Sequence, residues 1–200
     1  MPEFHTLDYA DDALADYWLF SGKKYEVSAG LAGDDWKVSA YDALKAYDID
    51  LDDVHDLASV AKVFQPRWKW KPDALFQIWD TVSCPKHLLA DGGDDCDGWA
   101  MIHAQVAEYV LGKLGWTAYI LTMFTDPWDK SHHVAVAVSP AKQHWVLQPE
   151  PSNIDPEFAN IVAGPYASAK EAADTVMSWY DAKVVKYDVR SPMWENITEV

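Results

Sequence analysis

Cysteine is scarce: Cys84 and Cys96 are the only two among 200 residues. Two thiols cannot build the disulfide framework that staples small secreted domains, so the fold must rest on its core. The chain has no Cys-x-x-Cys pair and no His-Glu-x-x-His. The common zinc patterns are therefore absent; no metal and no cofactor are expected. No apolar run approaches the roughly 18 residues that cross a bilayer, so no membrane partner is expected. The opening Met1-Pro2-Glu3-Phe4-His5 offers neither the basic nor the apolar region of a secretory signal. The expectation is a reducing, cytoplasmic setting with both thiols reduced. Basic residues are also few, 16 Lys and Arg against 32 Asp and Glu, for a net charge of −16. A surface of that sign cannot displace counterions from phosphates, which argues against nucleic-acid binding. No internal repeat or long linker is visible.

What is present is apolar mass. Half of the residues are hydrophobic, with eleven Trp and ten Tyr, enough for a substantial core in one compact unit. Residues 1–70 read as an acidic helical extension and 71–200 as the main domain. Within the extension, Ser39 to Ala46 and Asp52 to Val63 carry helical spacing. A helix beginning at Pro72 and running to about Val82 would bury Leu75, Ile78 and Trp79.

The stretch from Asp91 to Gln148 is the informative one. A turn-rich acidic loop, Asp91-Gly92-Gly93-Asp94-Asp95, leads into a helical pattern from Cys96 to Leu114. Trp99, Ile102, Val106, Val110 and Leu114 form its apolar stripe, and Gly115 sits where a C′ glycine ends a helix. Three strands follow: Thr117 to Phe124, His133 to Val138, and Gln143 to Leu147, the last two joined as a hairpin. Beyond a proline-rich loop, Ser168 to Asp181 reads as a helix and Lys183 to Val189 as a last strand. Helix followed by strands predicts an α+β fold with an antiparallel sheet.

That order brings chemistry together. Cys96 falls in the first turn of a helix, where unpaired amides and the positive end of the macrodipole favour a thiolate and can meet an oxyanion. Asp94, Asp95 and Asp97 oppose it by repulsion. His133 opens the second strand and Gln148 ends the third. A thiol, an imidazole and a polar side chain in that sequence suit a nucleophile, its base and a group that orients the base. His132 alternates to the opposite face of the strand if both histidines lie on it. His103 is about 10.5 Å along the helix from Cys96, too far to be its direct partner, and His144 is expected to face outward. Trp128, in the loop before His133, is expected to flank a substrate cleft, with His132 and Asp95 as further lining residues.

Gly93-Asp94-Asp95-Cys96-Asp97-Gly98-Trp99-Ala100 resembles the Gly-Asp-Cys-Asp/Glu-Asp-aromatic-Ala motif of bacterial and phage transglutaminase-like cysteine peptidases, in the papain-like superfamily. Leu114-Gly115-Trp116-Thr117-Ala118 resembles that family's step from helix into strand. His132-His133-Val134-Ala135-Val136-Ala137-Val138 resembles its His-plus-strand segment. Trp145-Val146-Leu147-Gln148 resembles Trp-Val-Leu-Asp. The match covers about residues 75–150. It implies a nucleophile helix packed on an antiparallel sheet, Cys96 as nucleophile, His133 as base and Gln148 in the third position. Where the family has aspartate, Gln148 can accept a hydrogen bond but cannot stabilise an imidazolium as a carboxylate does. The implied function is a cysteine hydrolase working through a thioester on peptide or amide bonds, with a protein or peptide substrate and a phage-associated setting included. Two alternatives stay open: a catalytically weakened scaffold used for binding or assembly, and a cell-wall peptide endopeptidase, whose Asp-Cys-Ser-Gly start is echoed in Asp95-Cys96-Asp97-Gly98. A cation site built from Asp94, Asp95 and Asp97 matches calcium loops only faintly, because the later glutamate is missing. Substrate identity and oligomeric state are not readable from the residues.

Overall fold

A computed structural model describes residues 44–45, 49, 51–63, 69–71, 89, 92–126, 131–148, 161–192 and 197. The elements in chain order are α1 (Leu57–Lys62), β1 (Lys69–Trp70), β2 (Gly93–Asp94), α2 (Cys96–Leu111), β3 (Thr117–Asp126), β4 (Ser131–Val138), β5 (His144–Gln148), β6 (Ile161–Tyr166), α3 (Ala169–Ser178) and β7 (Lys183–Arg190). The five longer strands form one sheet in the order β6-β5-β4-β3-β7. Every neighbouring pair in it is antiparallel. The fold is α+β, with the helix that begins at Cys96 laid on an antiparallel sheet.

Strand alternation splits the sheet into two apolar faces. Ala118 and Ile120 of β3, Ala135 and Ala137 of β4, and Leu147 of β5 pack against α2. Tyr119, Leu121, Met123, Val134, Val136, Val138 and Val146 point the other way and meet Ala172, Ala173, Val176 and Met177 of α3. The period of two therefore serves two helical layers, one on each face. Above α2 lies a cover that includes Leu44, Val54 and Val60, all in the same core cluster as the helix. Covered both by the sheet and by this segment, α2 is buried at every residue from Asp97 to Ala107. Its apolar stripe is thus wider than the single i, i+3, i+4 face that spacing alone predicts.

Several boundaries depart from the sequence reading, each for a local reason. The helix expected over 52–63 starts only at Leu57, because Asp56 closes a capping box with Ser59. The Asp56 carboxylate accepts from the Ser59 amide at 2.7 Å, and Ser59 Oγ accepts from the Asp56 amide at 3.0 Å. Leu114 is not on the buried stripe and is 62% exposed. The chain tightens into a 3-10 turn at Gly112–Leu114, which breaks the phase of the α-helix. Gly115 then stops it in the left-handed region at φ 79°, the conformation that glycine adopts without a Cβ penalty. The last strand does join the sheet, beside β3. Strand β6 forms in a stretch, Ile161–Tyr166, that carries no strand pattern in the sequence. The helix expected over 72–82 lies outside the described residues.

Candidate active site

The loop that leads to Cys96 is built before the helix begins. Gly93 and Asp94 run parallel to Lys69 and Trp70 in a two-residue ladder. Gly93 takes φ 153° there. The Asp94 carbonyl accepts twice, from the Lys71 amide at 3.0 Å and from the Trp99 indole at 2.9 Å. Trp99 is thus both core and brace: its ring fills the space under α2 while its N–H fixes the residue two before Cys96. Asp95 occupies the N-cap in extended conformation, and its carbonyl accepts from the Trp99 amide at 3.2 Å. The Asp97 carboxylate accepts from the Gly98 amide.

Cys96 is accordingly the first residue of α2, half-buried at the helix N-terminus. Its Sγ lies 3.4 Å from Nδ1 of His133. His133 sits near the start of β4, 5% exposed, on the sheet face that packs against α2. The placement follows from alternation: Ala135 and Ala137, two and four residues on, are the residues that touch the helix. A thiol and an imidazole at this separation can exchange a proton, and the helix amides lie at the sulfur's end of that pair.

Asp94, Asp95 and Asp97, which flank Cys96 in the sequence, bring their carboxylates together, with ligand atoms within 4.8 Å of one another. Hard oxygen donors in this number are the kind that hold calcium or magnesium. Electrostatically the same three groups work against a thiolate, in opposition to the helix dipole. Asp95 is buried, 6% exposed, which leaves it little surface with which to line a substrate cleft.

The remaining histidines are placed away from this chemistry. His132 pairs with Met123 and lies on the opposite face from His133, its ring 5.4 Å from that of Tyr180. The cleft-lining role expected for it therefore does not fit the sheet, since strand alternation separates the two histidines. His103 is wholly buried, with Nδ1 2.8 Å from the Trp99 carbonyl and its ring stacked on Trp99 at 5.4 Å. Only a donor can meet that carbonyl, so Nδ1 carries the proton. Burial pushes its pKa down to about 3, against a smaller upward pull from the Trp99 carbonyl. His144, expected to face outward, is buried instead. It meets the Tyr119 hydroxyl at 2.9 Å on the α3 face. Burial lowers the His144 pKa, with Lys142 adding to it, and burial raises that of Tyr119. Both shifts keep the pair neutral. Gln148 ends β5, its backbone paired with Ile161 of β6, one residue beyond the Leu147–Ala135 pair. Trp128, Cys84 and Trp79 lie outside the described residues.

No family model matches this chain, and no curated protein matches it. Solved structures do. A LapG from Legionella pneumophila is 15% identical over 83% of this chain and 74% of its own, with a TM-score of 0.38. The calcium-bound LapG of the same organism is 17% identical over 66% of each chain, with a TM-score of 0.34.

Proposed function

We propose that this chain is a cysteine hydrolase acting on peptide or amide bonds, with Cys96 as nucleophile and His133 as its base. The observation that carries the reading is the 3.4 Å approach of Cys96 Sγ to His133 Nδ1 at the start of a helix. The motif resemblance in the two segments that bear these residues supports it. In the first half-reaction His133 takes the thiol proton and the sulfur attacks the substrate carbonyl. The amide at the helix start meets the oxyanion. The C–N bond breaks, the imidazolium gives its proton to the departing amine, and a thioester remains. In the second half His133 deprotonates water, which attacks the thioester, and the carboxylic acid leaves with Cys96 regenerated. An amine in place of water would make the same site a transferase.

A second reading is favoured by one feature of the site. The Asp94, Asp95 and Asp97 carboxylates oppose a thiolate, as a scaffold kept for binding would tolerate. Iodoacetamide labelling near neutral pH tests the two against each other. The enzyme reading expects Cys96 to be alkylated faster than Cys84, with His133→Ala removing the advantage. Equal, slow labelling of both cysteines, unaffected by His133→Ala, would rule out the hydrolase.

A further inference from the structure

Two of the four large apolar side chains exposed among the described residues, Tyr109 and Leu114, line one cavity. It holds about 730 Å³, within the roughly 300–1,000 Å³ of small-molecule sites. Tyr109 follows Cys96 by about 20 Å of helix, so the cavity stands at the far end of α2 from the candidate active site. Leu51, Val54 and Val110, all packed on the core that holds α2, form its inner wall. Its chargeable groups besides Tyr109 are Lys45, Lys113, His55 and one carboxylate, Asp52. Two lysines to one acid reverses the balance of the whole chain, where 16 basic residues face 32 acidic ones. Asp53 and Glu108 adjoin lining residues in the sequence but do not line the cavity. Lys113 is held over the Tyr109 ring, Nζ 5.2 Å from its centroid, which keeps the charge beside the opening. The negative end of α2 is muted here, because its last carbonyls are already met. The Gly112 amide donates to the Glu108 carbonyl, the Trp116 amide to that of Leu111 and the Gly115 amide to that of Gly112.

We propose that this cavity binds a small amphipathic anion, a single carboxylate on an apolar body. The Lys45 and Lys113 ammonium groups meet the carboxylate, and Leu51, Val54, Val110 and Leu114 take the body. The apolar walls alone would accept any greasy molecule; the lysines, which offer donors and no acceptor, select its sign. The mean field of a chain with net charge −16 repels anions. An anion is therefore held only where the local balance is reversed, as it is in this lining. With His55 neutral, two ammonium groups and one carboxylate leave a single positive charge. That matches a monocarboxylate better than a phosphate, whose second charge Asp52 would oppose. The site is separate from Cys96 and His133, and it stands or falls independently of the hydrolase reading.

The test is calorimetric titration of the full chain with octanoate, beside octanol and octyltrimethylammonium as its neutral and cationic matches. Octanoate should bind with a dissociation constant of about 1 mM or tighter, octanol more weakly, and the cation not measurably. Reversing both charges, Lys45→Glu with Lys113→Glu, should weaken octanoate about tenfold, since each exposed charge contributes modestly by itself, and should leave octanol unchanged. Leu114→Ser should weaken both. Both lysines are exposed, and the melting temperature shows whether the double variant is folded; if it is not, Lys45→Gln with Lys113→Gln should shift octanoate in the same direction by less. Val185→Ser alters the other exposed apolar patch, on β7, and should change nothing. The proposal is overturned if octanoate does not bind, if octanol binds as tightly, or if the folded lysine variant keeps the wild-type affinity. It is equally overturned if Val185→Ser is the change that weakens binding, for the ligand would then sit on β7.

Discussion

His103 should make the fold acid-sensitive in a range where carboxylates are still ionised. It is buried in α2 one turn beyond Trp99, with its pKa held down at about 3, whereas an unfolded chain would titrate it near the usual 6.5. A histidine whose folded pKa is depressed contributes stability that is whole above 6.5 and is lost progressively as pH falls toward the folded value, because only the unfolded state takes up the proton. At pH 5 the deficit is about 1.5 units, and each unit is about 1.4 kcal/mol, so the fold should lose about 2 kcal/mol relative to pH 7 from this one group. For a chain of this size that lowers the melting temperature by about 4–8 °C. Glu108 works in the opposite sense, since burial raises its pKa. The informative quantity is therefore the difference between wild type and His103→Gln, in which the amide can still donate to the Trp99 carbonyl but nothing titrates. Urea unfolding at pH 7 and pH 5 should show wild type losing about 2 kcal/mol more than the variant. Equal losses would mean that His103 titrates normally in the folded protein, and the buried stacking on Trp99 would be wrong.

Three further outcomes are expected. Cys96→Ser should change stability by less than about 2 kcal/mol, since the side chain is half-buried at a helix start, and should abolish turnover of any substrate found; a larger loss by denaturant titration would make Cys96 a packing residue. At position 148, which the register sets opposite Val134 and one residue out of step with His133, alkylation rates of Cys96 should be the same for Gln, Asp and Ala; an Ala rate about tenfold below Gln, or about 1.4 kcal/mol of barrier, would show that position 148 does orient the ring. Tyr119→Phe should cost about 1–3 kcal/mol by leaving buried His144 Nδ1 without its hydroxyl. It should leave Cys96 alkylation untouched, because the pair lies on the far face of the sheet; a changed alkylation rate would contradict that separation.

Much of this architecture is legible from local pattern, and the misreadings share causes. The helix at Cys96 and the strands around His133 announce themselves, because loop glycines, an apolar run and alternating valines fall within a few residues of one another. His144 reads as an outward position because an antiparallel sheet commonly leaves one face wet; here α3 covers that face and turns the position into a buried one. Strand β6 does not read as a strand because Gly164 and Pro165 sit inside it, residues that signal a turn. Its place at the sheet edge is what tolerates them. Leu114 fits the helical stripe in the sequence and loses it only where the helix tightens.

The support of the candidate site shows where such reading ends. Cys96 and His133 lie 37 residues apart, and one helix, one strand and one return bring them together. Hairpin logic covers that path. It also points to β5 as the strand next to His133, where the register sets Gln148 opposite Val134, one residue out of step with His133. The other neighbour of His133 is β3, and what lies beyond β3 is set by a crossover: the chain passes through β6 and α3 before β7 pairs with β3. Cys96 and His133 are joined by elements that follow one another in the chain, so a local reading reaches the pair; what β7 brings beside β3 depends on the crossover, and a local reading does not reach it.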